Sequence, residues 1–126
     1  MQTALILFAH GARDPEWAEP MRRVQAAIRR QRPDVPIELA FLEFMAPTLA
    51  DCIASLVAAG ARKIVVMPMF IARGGHLKRD VPELLEKLRS TYPQVEFSLG
   101  CVIGEHEDVV QAMASATLEV AGLTLA

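Results

Sequence analysis

Four runs of apolar residues recur along the chain, at 4–9, 37–42, 63–70 and 95–99, and each precedes a segment whose apolar positions return every third or fourth residue. Within the first and third runs, "ALILFA" and "IVVMPMF" are almost continuously apolar. That pattern predicts strands buried on both faces, as in a parallel sheet covered by helices, since parallel neighbours need crossover connections. The alternation of strand and helix therefore predicts an α/β fold, a three-layer α/β/α sandwich with a four-stranded, mainly parallel sheet. No linker or low-complexity segment interrupts the pattern, so residues 1–126 read as one domain.

The helical segments carry their own start and stop signals. Asp14 and Pro15 suit the cap and first position of a helix near "DPEW", while Pro20 predicts that this first turn is separate or kinked. Beyond it, Met21, Val24, Ala27 and Ile28 form a stripe. A second helix is predicted from Pro47, burying Leu49, Ile53, Leu56 and Val57 before Gly60 ends it. Asp80 and Glu83 have capping-box spacing for a third helix with Leu84, Leu85 and Leu88 facing inward and "TYP" stopping it. The last helix is predicted from about Glu107 through Val110, Met113 and Leu118 to Gly122.

Charge and composition narrow the function. Thirteen basic residues against fifteen acidic give a formal net charge of −2, which argues against a nucleic-acid partner because backbone readers present a positive stripe. No apolar run approaches the roughly 18 residues that would predict a membrane span, and no basic region precedes the apolar start, so a cytoplasmic protein is expected. Cys52 and Cys101 stand far apart in apolar surroundings and are expected to be buried free thiols.

In an open α/β sheet, ligands bind beyond the carboxyl ends of the strands. The connections there read "HGARD" (10–14), "EFMAP" (43–47), "IARGGHLKRD" (71–80) and "VIGEHED" (102–108), and they hold all three histidines, His10, His76 and His106. Taken singly, each histidine is equally a hydrogen-bonded loop residue, and Glu43 equally a helix cap. Together, His10, His76 and Glu43 offer ligands for a divalent metal and groups that accept protons. Their dispersal in sequence differs from the short spacings of closed structural metal sites and points to an open, transient one. Arg13, Arg73, Lys78 and Arg79 add a local positive rim that suits a small anionic ligand. Nucleotide-binding and nucleophile-elbow patterns are missing.

At these residues the chain resembles a known family. "LFAHGARDPEW", "AFLEFMAPTL" and "VVMPMFIARGGHLKRDVPELL" are similar, in order and spacing, to the short form of the CbiX/SirB sirohydrochlorin chelatases, over nearly the whole chain. The resemblance implies a chelatase-like single lobe and a class II, ATP-independent metal chelatase (lyase) acting in cobalamin or sirohaem biosynthesis. Its substrates would be sirohydrochlorin and Co²⁺, with Fe²⁺ and Ni²⁺ as alternatives, and it would have no tightly bound cofactor. By the same resemblance His10, His76 and Glu43 are catalytic and contact the metal, Arg13, Arg73 and Lys78 bind the substrate's carboxylates, and the short form is a homodimer. The family's first loop more often reads "HGSR", so Ala12 lacks a hydroxyl found there. "IGEH" resembles the family's last loop, but Glu107 replaces the proline that commonly follows, which weakens a catalytic role for His106. A noncatalytic metal or tetrapyrrole carrier is the alternative of another class; it predicts stoichiometric binding without faster insertion.

Overall fold

The first apolar run forms β1 (Thr3–Ala9), and the other three form β2 (Ile37–Phe41), β3 (Lys63–Pro68) and β4 (Glu96–Leu99). They make one parallel sheet in the order β2-β1-β3-β4, with Leu7 level with Leu39 on one side and Met67 on the other. The computed structural model describes residues 2–72 and 74–124, with the side chains of 75–77 outside that description.

One face of the sheet carries the main core. There Ile6, Phe8, Ala40, Ile64, Val66 and Phe97 meet α2 (Leu49–Ala58) and α3 (Gly75–Thr91) through Leu49, Ile53, Leu56, Val81, Leu85 and Leu88. Phe8, Ile6, Ile53 and Ile64 are among the side chains almost wholly removed from water, each contributing about 2 kcal/mol relative to exposure. The opposite face is lightly covered. α1 (Glu19–Gln31) lies over β1 and β2, where Ala9, Ala18 and Phe41 form a small second cluster, but none of its own residues is fully buried. α4 (Glu107–Val120) has no buried residue at all, and its contacts concentrate on the short 3-10 turn (Ile103–Glu105) before it.

Local chemistry accounts for the boundaries. The Asp14 side chain accepts from the Glu16 N–H and caps a separate 3-10 turn (Pro15–Ala18), with Pro20 following at the start of α1. α2 starts at Leu49 and not at Pro47, and Thr48 caps it by accepting from the Asp51 N–H at 3.1 Å. The third helix departs from expectation: it starts at Gly75, with Gly74 at the cap position, so Asp80 lies inside it and the connection after β3 is shorter than its sequence suggests. Glycine caps a helix without a side-chain hydrogen bond, leaving the polar Asp80–Glu83 pair as the more conspicuous, misleading signal. The last helix runs through Val110, Met113 and Leu118 as expected, and all three are exposed. Among the described residues, no helix is long and apolar enough to cross a membrane.

The two thiols also part company. Cys52 is buried in α2, and burial, with the nearby Glu38 carboxylate adding to it, pushes its pKa up to about 11. Cys101 is exposed just past β4, where the chain has left the sheet, so the expectation of a buried thiol there is corrected. A thiol reagent at neutral pH is accordingly expected to titrate one cysteine rapidly in the native protein and the second only on unfolding. Two fast equivalents would contradict this burial pattern.

Candidate active site

The strand order determines where a ligand can sit. From β1 the chain crosses outward to β2, and from β3 it crosses the opposite way to β4, so a crevice opens between the carboxyl ends of β1 and β3. His10 is the first residue after β1. Glu43 lies two residues past the end of β2, the neighbour of β1. Past the strand ends the two loops stay joined by their backbones, with the Leu42 N–H donating to the Ala9 carbonyl at 2.9 Å and the Glu43 N–H to the His10 carbonyl at 3.0 Å. In the register of β1 and β2, Ala9 pairs with Phe41, so Glu43 lies one position beyond the level of His10, and the loop brings His10 Nε2 to 2.8 Å from Glu43 Oε1.

Three features hold this pair. Gly11 has φ +92°, and a Cβ on it would lie 1.9 Å from the Glu43 carbonyl oxygen, so the two loops approach as closely as glycine permits. That same oxygen accepts from the Met45 N–H at 2.8 Å, closing a three-residue turn centred on Phe44, whose φ of 66° is unusual for a bulky residue. Phe70, past the end of β3, sets its ring edge-on to His10, with centroids 6.4 Å apart, and edge-on to the core residue Phe8 at 6.0 Å. The imidazole is thereby placed from one side by a carboxylate and from another by an aromatic ring rooted in the core.

The pair opens onto a cleft of about 620 Å³, walled mainly by Leu42, Phe70, Ala72, Gly74 and Val81, with Asp80 also on its lining. A neighbouring hollow of about 420 Å³ shares Phe70 and Val81 and reaches Lys78, Cys101 and Glu105. These dimensions and the apolar walls fit a small-molecule site. The side chains of His10 and Glu43 remain 52% and 48% exposed, so both reach solvent and ligand.

With Glu43 a carboxylate, the hydrogen bond runs from Nε2–H to Oε1, and Nδ1 is then the imidazole nitrogen with a lone pair for a metal or a proton. Among the described residues, no group of three or more His, Cys, Asp and Glu side chains converges as a ready-made metal cage. One imidazole and one carboxylate, half in water, suit brief contact with a divalent ion rather than its retention.

The remaining candidates fall in different places. Arg13 stacks over the Phe44 ring at 4.9 Å, next to the pair, while Lys78 lines the neighbouring hollow. His76 lies in the first turn of α3, two residues after Gly74 at the cleft, but its side chain lies outside the described residues, as does Arg73 altogether. His106 acts locally on the fold, where its Nδ1 accepts from the Asp108 N–H at 3.2 Å and caps α4. Sequence reasoning missed Phe44, whose only signal is a lone aromatic beside Glu43, and Phe70, which passes for the last core residue of a strand.

Comparison with known proteins identifies the family. The CbiX family model matches residues 4–120. A sirohydrochlorin cobaltochelatase from Methanococcus aeolicus is 38% identical over 82 residues, covering 65% of this chain and 57% of that protein. One from Saccharolobus islandicus strain L.S.2.15 is 33% identical over 115 residues, covering 86% and 88%. Among solved structures, a CbiX protein assigned to cobalamin biosynthesis in Marinobacter aquaeolei VT8 superposes with TM-score 0.83 at 25% identity, covering 97% of this chain and 99% of that one. Bacillus subtilis SirB with Fe³⁺ gives 0.78 at 29% identity, and the SirB of B. subtilis subspecies spizizenii with cobalt gives 0.75 at 28%. Each match covers 95% of this chain but only 48% and 51% of SirB, so the chain spans about half the length of those proteins. Matched by the family model over all but its ends, the chain belongs to the CbiX/SirB family of class II chelatases.

Proposed function

We propose that the protein is an ATP-independent sirohydrochlorin chelatase that inserts Co²⁺ into the tetrapyrrole as two pyrrole protons leave. The observation that carries this reading is the His10–Glu43 pair, 2.8 Å apart at the mouth of an apolar-walled cleft, in a chain whose relatives are cobaltochelatases. Insertion needs a base for each pyrrolic N–H and a partner that exchanges for water on the ion without trapping it. His10 Nδ1 can take either part, and Glu43 fixes the imidazole and balances the positive charge it gains on protonation. His76 supplies the second imidazole, an assignment that rests on the family motif. Arg13, Arg73 and Lys78 are assigned by the family resemblance to the substrate's carboxylates, which need donors wherever they lose water.

Apolar walls serve a planar macrocycle, and half-exposure of the pair keeps the ion from settling in a well deeper than the tetrapyrrole offers. No resident cofactor enters this chemistry, and metal is a substrate. The choice of Co²⁺ over Fe²⁺ or Ni²⁺ follows the relatives' activity, because imidazole and carboxylate accept all three ions. A single lobe spanning half of SirB supports a homodimer as the working form, with a cleft between two lobes.

The test is the anaerobic initial rate of sirohydrochlorin metallation at matched free Co²⁺, Fe²⁺ and Ni²⁺, read by absorbance against spontaneous insertion. The expected result is acceleration with cobalt above the other two. Faster turnover with iron or nickel would reassign the metal. No acceleration with any ion, alongside stoichiometric binding of metal or tetrapyrrole, would replace the enzyme by a carrier.

A further inference from the structure

We propose that α4 is an exchanged arm: it leaves its own lobe and packs on the bare half-face of the sheet of a second copy, which reciprocates. α4 is a regular helix of 14 residues, yet none of them is buried, and Val110, Met113 and Leu118 lie open along it. An apolar stripe with no partner does not sustain a helix of this length in water; helices in proteins draw most of their stability from a packed face. The same chain offers the missing surface. On the face that α1 shares, side chains of β3 such as Val65 and Met67 are only half-buried, while every β3 residue on the α2–α3 face is fully buried.

The two surfaces match in length and in charge. Fourteen helical residues extend about 21 Å, and the six residues of β3 about 20 Å. α4 contains Glu107, Asp108 and Glu119 and no lysine or arginine, whereas α1, which would flank the docked arm, carries Arg22, Arg23, Arg29 and Arg30 against Glu19. Opposite charge on neighbouring helices fixes the orientation of the arm and speeds its capture. A second copy is the favoured occupant because SirB, about twice as long as the span matched here, holds in one chain the length of two such lobes. Reciprocal exchange is isologous, so the contact closes at two copies and does not propagate.

The inference rests on the dimer in the functional reading and adds which surfaces make it. Two single-cysteine chains, Met113→Cys and Val65→Cys, both in a Cys52→Ala/Cys101→Ser background and one of them tagged, are mixed, unfolded together, refolded and oxidised. A disulfide between the tagged and untagged chains can form only if α4 of one reaches β3 of the other. The expected result is that crosslink, with neither chain crosslinking alone, and conversion of the native dimer to monomer by Met113→Glu, judged by light scattering. A monomeric native protein, or a dimer that resists Met113→Glu and yields no mixed disulfide, overturns the exchange. Metallation rates on the same native sample keep the two readings apart, since a chelating monomer refutes only the arm and a noncatalytic exchanged dimer refutes only the chelatase.

Discussion

A His10→Ala/His76→Ala double variant is expected to metallate sirohydrochlorin no faster than the spontaneous reaction while keeping the thermal stability of the parent. Each imidazole removed takes away a proton acceptor, and general acid–base groups contribute typically 10²–10⁴-fold. Among the described contacts His10 meets Glu43 and the Phe70 ring but lies outside the buried core, and half its side chain is in water, so the change leaves packing largely intact. The His10→Ala single variant is expected to lose about 100-fold or more in the initial rate. A double variant with rates within a fewfold of the parent would show that the pair does not carry the chemistry, whatever the metal.

Gly11→Ala is expected to be the most damaging single methyl group at the site. The added carbon would meet the Glu43 carbonyl oxygen at 1.9 Å, and that oxygen is tied into the turn around Phe44 by the Met45 N–H. A backbone atom held in this way yields only if the loop moves. Strain at φ +92° and the displaced loop together cost about 3 kcal/mol, a melting temperature lower by roughly 10 °C for a chain of this size. Gly60→Ala separates the two contributions, because Gly60 has φ +99° but meets nothing nearer than the Gln2 side chain at 3.7 Å. It is expected to cost about 1 kcal/mol. Equal losses at the two positions, in parallel thermal melts, would mean that the close approach at Gly11 adds nothing.

The sheet was legible in the sequence because near-continuous apolar runs such as "ALILFA" have few other homes, although β3, expected to be buried on both faces, alternates between buried and half-buried residues. The separate first turn before α1 was legible from Pro20. The start of α3 was not, since a glycine cap carries no side chain to announce itself while Asp80 and Glu83 imitate a cap six residues late. A stripe such as Val110, Met113 and Leu118 says that a helix has an apolar face, but not whose surface that face meets. At the site, His10 and Glu43 were legible as ends of successive strands, and β1–β2 pairing does the rest. Phe44 was hidden because its positive φ comes from the Glu43–Met45 turn and from Gly11 across the loop, neither of which leaves a local mark on the residue. The exposure of Cys101 was hidden as well, because apolar neighbours at a strand end mark the point where burial stops.

The two backbone hydrogen bonds that join the loops past β1 and β2, from the Leu42 and Glu43 N–H groups to the Ala9 and His10 carbonyls, make the closeness of positions 10 and 43 a property of the main chain and not of the residues that occupy them. The lobe is in that sense a two-pronged clip with interchangeable tips. Exchanging His10 or Glu43 for other donors, a second histidine or a cysteine, would present a new ligand pair at the inherited gauge. A scaffold of this kind can be retuned from one transition metal to another by altering its tips while its frame stays the same.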